Sequence, residues 1–273
     1  VLDKAVIEGL MEGVDVVFHL AAAQHEMDVP DQHYYDVNVQ GTHNIIEAAL
    51  ASGVKRFIHG STIGVYGDSL EGVIDDNAVL KPSNIYGITK LEGEKLVNSY
   101  ADKISSVIIR ISETYGPGDR RLLKLFQVIK KNLFFIAGDG LNMHHLLFID
   151  DLIDGFFLAA ESRSAIGKTF VFAGKEALTT NDMTKVIAKQ MNVREPRIHL
   201  PLFPFLTIAY LLEKICRPLG IQPPLHRRRM DFFRKSFYFS QSDPKEILEF
   251  MPSTSFEEGV RKTAEWYTEM GYL

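Results

Sequence analysis

A single cysteine, Cys216, stands in the 273-residue chain, so no internal disulfide can form. With no apolar leader at the amino end, this points to a reducing, cytoplasmic setting. Acidic and basic residues nearly balance, 35 against 30, and net charge gives no reason to bind nucleic acid or anionic lipid. The most apolar stretch, Leu200 to Leu212, holds thirteen residues with two prolines, whereas a bilayer span needs about 20. A buried or lid helix is the expectation there, with contact of residues 200–219 with a membrane surface as the alternative. Internal repeats and low-complexity segments are absent. So is any Gly-rich strand-turn-helix of the kind that cradles phosphates, and the chain opens at Val1 as if in mid-fold.

What is present is ample core material, 46% hydrophobic, arranged in alternating patterns. Val14 to Leu20 is a short β-branched run read as a buried parallel strand. Apolar residues at helical spacing predict a helix over 34–52, closed by Gly53, and Lys55 to Gly60 forms the next strand. A helix over 86–102 follows, its buried side marked by Ile88, Leu91, Leu96 and Val97, and Ser106 to Ile111 is the strand beyond it. Such alternation predicts an α/β fold, a doubly wound parallel sheet that takes ligands outside the carboxyl ends of its strands. Further on, helices are expected over 121–131, from Asp150 or Asp151, and from Thr180 to Met191, with strand-like pieces at 134–137 and 168–172.

The chemistry concentrates in Ser83 to Lys90, where Tyr86 and Lys90 stand four apart and so share one face of a helix. A free tyrosine titrates near about 10, too high for a useful base. A cation beside the phenolate lowers that value, and Thr62, at a strand end, would hydrogen-bond the substrate oxygen. Spacing alone is weak: Tyr210 and Lys214 repeat it without a strand-end hydroxyl and are read as structural. His144 and His145 lack companions at metal-ligand spacing, so no metal is expected.

His19-Leu20-Ala21-Ala22, Asn38-Val39-Gln40-Gly41-Thr42, Ser61 to Gly67, Tyr86 to Lys90, Arg110 to Gly118 and Phe148 to Asp151 together resemble the extended short-chain dehydrogenase/reductase family, the NAD-dependent epimerases and dehydratases. The resemblance implies a Rossmann-type fold over 1–116 and 146–173, with a smaller substrate-binding region over 117–145 and 174–273. It implies a catalytic set of Thr62, Tyr86 and Lys90. Cofactor contacts are implied at Leu20, Ala21, Ala22, Asn38, Ser61, Tyr86, Lys90, Ile111, Ser112 and Glu113. Read from the residues, the alanines serve the cofactor or close packing, Asn38 serves the cofactor or ties strand to helix, and His19 orients backbone in the core. A homodimer joined through helices 34–52 and 86–102 is also implied.

Two departures shape the expected function. The first strand-helix units of such a fold, with their phosphate loop and the residue that separates NAD from NADP, have no counterpart before Val14, so this chain alone is expected to bind NAD or NADP poorly and to be inactive. The second is Glu113, where nucleotide-sugar members of the family commonly have asparagine; a carboxylate there repels a diphosphate unless a cation intervenes. The apolar 200–219 stretch and the carboxyl-terminal aromatics resemble the branch related to 3β-hydroxysteroid dehydrogenases. The expectation is therefore an oxidoreductase acting at a secondary alcohol or ketone of a hydroxysteroid-like or other apolar substrate. Alternatives are a nucleotide-sugar epimerase or dehydratase, with Arg227 and Arg228 clamping phosphates, and a non-catalytic cofactor sensor or scaffold.

Overall fold

β-branched and aromatic runs become strands where the alternation places them. The computed structural model describes residues 1–24, 29–68, 72–75, 78–216 and 227–273, with 227–229 described by their backbone alone. The chain begins with α1 (Lys4–Leu10), β1 (Val16–His19), α2 (Asp31–Tyr35), α3 (Gly41–Ala51), β2 (Arg56–Thr62), α4 (Ile85–Asn98) and β3 (Ser106–Ile111). It continues with β4 (Thr114–Tyr115), α5 (Leu123–Lys130), β5 (Ile136–Ala137), β6 (Met143–His144), β7 (Leu147–Phe148), α6 (Ile149–Glu161), β8 (Thr169–Phe172) and β9 (Leu178–Thr179). α7 (Thr180–Gln190), β10 (His199–Leu200), α8 (Leu202–Cys216), α9 (Arg227–Arg234), α10 (Ser242–Leu248) and α11 (Phe256–Glu269) complete it.

β1, β2, β3 and β8 form one sheet in that order, every pair parallel, with Phe18 opposite Ile58, Ile58 opposite Val107 and Ile109 opposite Phe170. Both faces are covered, as the continuous apolar runs of the strands require. On one face Ile7, Ile46, Ala49 and Val97 from α1, α3 and α4 pack with Phe57 and Ile108. On the other, Leu152 and Phe156 of α6 and Leu248 beyond them meet Ile58, Val107, Phe170 and Phe172. A second core joins Phe126, Met183, Ile187, Val260 and Tyr267 from α5, α7 and α11. The carboxyl-terminal segment does not stay with that second core: Leu248 and Phe250 return to the sheet.

Three local departures from the sequence reading matter. The expected 34–52 helix runs from Asp31 and contains a π-helical turn at Asp36–Gln40 that turns Asn38 inward, a local widening often found beside functional sites. Gly53, at φ +72°, closes it as expected, because only glycine takes that conformation without strain. The buried side of α4 is not the apolar one. Gly87, Thr89, Lys90, Gly93, Glu94 and Val97 face inward, while Ile88, Leu91 and Leu96 are only half-buried. α8 is not a buried helix either: Ala209 is its one buried residue, and Phe203, Ile208, Leu211 and Ile215 are exposed. Among the described residues no helix is long and apolar enough to cross a membrane.

Candidate active site

The site is assembled where β2 ends. Thr62 keeps extended backbone and its hydroxyl accepts from the Gly64 amide at 3.1 Å, which starts a tight turn over Ile63–Tyr66. The Asn84 side chain accepts from the Gly87 amide at 3.0 Å and caps α4. A Cβ at residue 87 would lie 2.6 Å from the Gly64 carbonyl, so glycine lets the first turn of α4 rest directly on the turn after β2. That approach brings Tyr86 into a hydrogen bond with Thr62, and Lys90 follows one turn later on the same face.

The electrostatics differ from the sequence expectation. Burial raises the Tyr86 pKa above that of free tyrosine, and the Thr62 hydrogen bond and the Arg121 charge only partly offset it. Arg121, rather than Lys90, is therefore the cation that acts on the phenol in the protein alone. Lys90 is 1% exposed, and burial lowers its pKa to about 8, with Glu94 pulling the other way. Its ammonium still carries charge at neutral pH and meets no hydrogen-bond acceptor among the described residues. Beneath it His59 is fully buried, held neutral by burial, then by Lys90 and His19, with neither ring nitrogen bonded.

A polar layer locks α4 to the sheet. Glu94 accepts from Arg110 through both oxygens, at 3.1 and 2.8 Å, and takes the Ser61 hydroxyl at 2.5 Å; Arg110 also donates to Tyr66 at 3.0 Å. Ser61 thus spends its hydroxyl on this layer while its neighbour Thr62 faces the cleft. Asn38 is fully buried: its oxygen accepts from the Ala23 amide at 2.8 Å, and its nitrogen donates to the Ala23 carbonyl at 3.2 Å and to Thr89 at 2.9 Å. That is a tie between the loop after β1 and α4. His19 bonds Thr42, not backbone, at 2.8 Å, and burial takes its pKa down to about 3. Ala21 is exposed and Ala22 half-buried beside them, and the Leu20 side chain lies over Gly60 near Ile111.

From there a cleft of about 1190 Å³ opens, lined by Thr62, Tyr86, Ile111, Ser112 and Glu113 on the sheet side. Ser112 donates to the His145 carbonyl at 2.5 Å. Glu113 faces the cleft and meets His144 Nδ1 at 3.0 Å, while His144 Nε2 lies 3.0 Å from Thr180 and 3.2 Å from Asn142. Enclosure in the cleft would raise the Glu113 pKa, an effect limited by a side chain that is 43% exposed, and His144, Arg121 and Lys235 outweigh it and keep the carboxylate ionised. The cations that the sequence reading set as a condition are therefore in place. The lining from α8, α9 and beyond mixes apolar and aromatic side chains, Phe203, Leu206, Tyr210, Phe232 and Phe237, with Thr207, Glu213, Asp231, Arg234 and Lys235. Tyr210 carries Lys214 over its ring at 4.8 Å, a surface pair. The side chains of Arg227 and Arg228 lie outside the described residues.

Sequence reasoning missed Arg121, Asn142, His144 as a partner of Glu113, Thr180 and Lys235. They come from separate elements, and no spacing joins them. Among the described residues no cluster of His, Cys, Asp or Glu could hold a metal. For a dinucleotide the nicotinamide end fits: a buried lysine ammonium without an acceptor is costly until a ligand supplies one, and ribose hydroxyls would do so.

Parallel strands covered on both faces, with Thr62, Tyr86 and Lys90 beside a cleft at their carboxyl ends, define a Rossmann-type α/β protein. The chain belongs to the NAD dependent epimerase/dehydratase family, whose model matches residues 1–173. It is 28% identical to an Arabidopsis thaliana 3beta-hydroxysteroid-dehydrogenase/decarboxylase, over 98% of this chain and 51% of that one. It is 31% identical to an uncharacterized UDP-glucose epimerase of Bacillus subtilis, over 71% of this chain and 63% of that one. It therefore spans about half to two thirds of the length of these relatives. The crystal structure of UDP-glucuronic acid 4-epimerase from Bacillus cereus in complex with NAD superposes with a TM-score of 0.77 at 25% identity, covering 98% of this chain and 79% of that one.

Proposed function

We propose that the chain carries the proton-transfer site of an NAD-dependent oxidoreductase that acts at a secondary alcohol or ketone of a hydroxysteroid-like or other apolar substrate. The observation that carries this is the Thr62–Tyr86 hydrogen bond at the mouth of a cleft whose lining includes Phe203, Leu206, Tyr210, Phe232 and Phe237. Tyr86 takes the hydroxyl proton in oxidation or returns it in reduction, and Thr62 holds the reacting oxygen beside it. NAD, when bound, supplies the hydride acceptor. Lys90 holds the ribose, while the Thr62 hydrogen bond and the Arg121 charge partly offset the upward shift that burial imposes on Tyr86. Leu20, Ala21, Ala22 and Ile111 line the approach to that position.

A nucleotide-sugar reading has its own observation: Arg121, Arg234 and Lys235 also line the cleft, and His144, Arg121 and Lys235 offset the charge of Glu113. Assays with NAD against a 3β-hydroxysteroid and a UDP-sugar, on a longer protein that carries this chain together with a phosphate loop, separate the two. Turnover of the steroid supports the first reading, and turnover of the UDP-sugar alone replaces it with the second. In a longer protein that carries this chain together with a phosphate loop, Tyr86→Phe is expected to cut turnover by about 10²–10⁴-fold while NAD affinity is kept; unchanged turnover would sink the mechanism. A homodimer through α3 and α4 is part of this proposal, and a monomer in light scattering would remove it.

A further inference from the structure

Glu113 is held as a fixed acceptor inside the cleft. Its backbone carbonyl takes the Leu147 amide at 2.9 Å, and the Ser112 amide before it bonds the Phe172 carbonyl at 3.0 Å, so the residue stands on chain tied to β7 and β8. Its side chain is 43% exposed and faces the cleft. One carboxylate oxygen, Oε2, meets His144 Nδ1 at 3.0 Å. An ionised carboxylate only accepts, so Nδ1 carries the hydrogen of that bond. Nε2 of the same ring lies 3.0 Å from the Thr180 hydroxyl, and Phe232 packs on the ring with centroids 4.7 Å apart, which fixes the imidazole in place. The other oxygen of Glu113, Oε1, has no hydrogen-bond partner among the described residues.

The charges around it leave little for an anion. Among the described residues five acids and three cations line the cleft, and each cation already meets an acid. Arg121 meets Asp119 at 2.8 Å, Arg234 meets Asp231 at 2.9 Å, and Lys235 meets Asp68 at 3.2 Å. A phosphate entering here would compete with those acids for the cations and would meet Glu113 as a like charge, which disfavours binding. A hydroxyl or an ammonium group supplies what the open oxygen lacks, and a hydrogen bond to an ionised acceptor is roughly twice as strong as one between neutral groups.

We propose that Glu113 determines substrate choice: its Oε1 receives a hydrogen-bond donor, a hydroxyl or an amine, at a second position of a substrate that carries no phosphate or carboxylate there. Ile111 stands opposite Thr62 in the sheet, and Glu113 follows two residues on, at most about 7 Å of chain away, so the second group lies within a ring or two of the reacting carbon. The remainder of the substrate rests on the apolar-alcohol reading above; the exclusion of anions by Glu113 does not.

Calorimetric titration of the 273-residue chain tests this with 3β-hydroxysteroids that carry a hydroxyl, an amine, a carboxylate or only hydrogen at one second position, placed in one set on the ring beside the reacting one and in another on the far ring. In one of the two sets the hydroxyl or amine form is expected to bind at least about tenfold tighter than the hydrogen form, and the carboxylate form no tighter than the hydrogen form. An advantage for the amine alone assigns a cationic substrate, and one shared with the hydroxyl a neutral one. Glu113→Gln keeps an oxygen for His144 and should remove the advantage with the circular dichroism spectrum unchanged. UDP-glucose should bind this variant at least about fivefold tighter than the parent. Equal binding of the donor and hydrogen forms in both sets, tighter binding of the carboxylate form, or an advantage that survives in Glu113→Gln overturns the assignment. So does UDP-glucose binding that the substitution leaves unchanged or undetectable. If the variant does not fold, the parent's own ranking of the four forms decides. If no steroid binds, the apolar-substrate reading falls, and the UDP-glucose comparison still decides whether Glu113 repels anions.

Discussion

The two walls of the cleft are built on opposite plans. On the sheet side, α4 buries Thr89, Lys90 and Glu94 and leaves Ile88, Leu91 and Leu96 half-exposed; across the cleft, α8 exposes Phe203, Ile208, Leu211 and Ile215 and buries little. Each helix inverts the ordinary rule that apolar residues go inside. On α4 the inversion works because the sheet supplies partners: Arg110 and Ser61 for Glu94, and Asn38 for Thr89. Lys90 is the member left with a charge to satisfy. On α8 the apolar row faces outward instead. Under the proposed function, the wall with the reacting groups is ordered by buried polar contacts, and the wall toward the substrate leaves apolar surface open.

Substitutions can break this contrast. Glu94→Gln should have the largest effect on stability, because it leaves the Arg110 guanidinium buried with half its pairing gone. A loss of about 3–5 kcal/mol is expected in denaturant unfolding, and a loss below 1 kcal/mol would mean the layer does not lock α4. Lys90→Met should act in the other direction. The Lys90 pKa falls from 10.5 to about 8 on folding, so between those values the unfolded chain binds more protons and stability rises with pH; below about pH 8 the full penalty of the buried charge is present. Removing the ammonium should therefore stabilise the protein without cofactor by about 2–3 kcal/mol at neutral pH, with the gain vanishing above about pH 10.5. A destabilised Lys90→Met protein at pH 7 would show that the charge has a partner after all. Smallest is Lys214→Met, at the exposed pair that imitates the catalytic spacing. It should shift stability by under about 0.5 kcal/mol and leave turnover unchanged.

Much of this was legible in advance, for identifiable reasons. Val16–His19, Arg56–Thr62 and Ser106–Ile111 read as parallel strands because strands buried on both faces are continuously apolar. Thr62 and Tyr86 could be paired because one ends a strand and the other begins a helix on the same side of the sheet. The buried face of α4 was not legible, since helical periodicity marks the apolar side and this helix hides its polar one. Nor was the direction of the Tyr86 pKa, which depends on desolvation that no spacing encodes. The Glu113–His144–Thr180 link joins the β3–β4 connection to β6 and α7 across 67 positions of chain, and only folding brings it together.

The sequence by itself determined the alternation of strands and helices, the place of Thr62 at a strand end, and the shared face of Tyr86 and Lys90. These follow from local patterns of hydrophobicity and helical spacing, which are properties of neighbours along the chain. The tertiary structure alone decided that Lys90 is buried without an acceptor among the described residues, that Asn38 and Ser61 are engaged in internal hydrogen bonds, and that His144, Arg121 and Lys235 hold Glu113 ionised. It also decided that the outer row of α8 is left open. Burial, desolvation and charge pairing are set by residues far apart in sequence, and they take definite values only once the sheet has drawn those residues together.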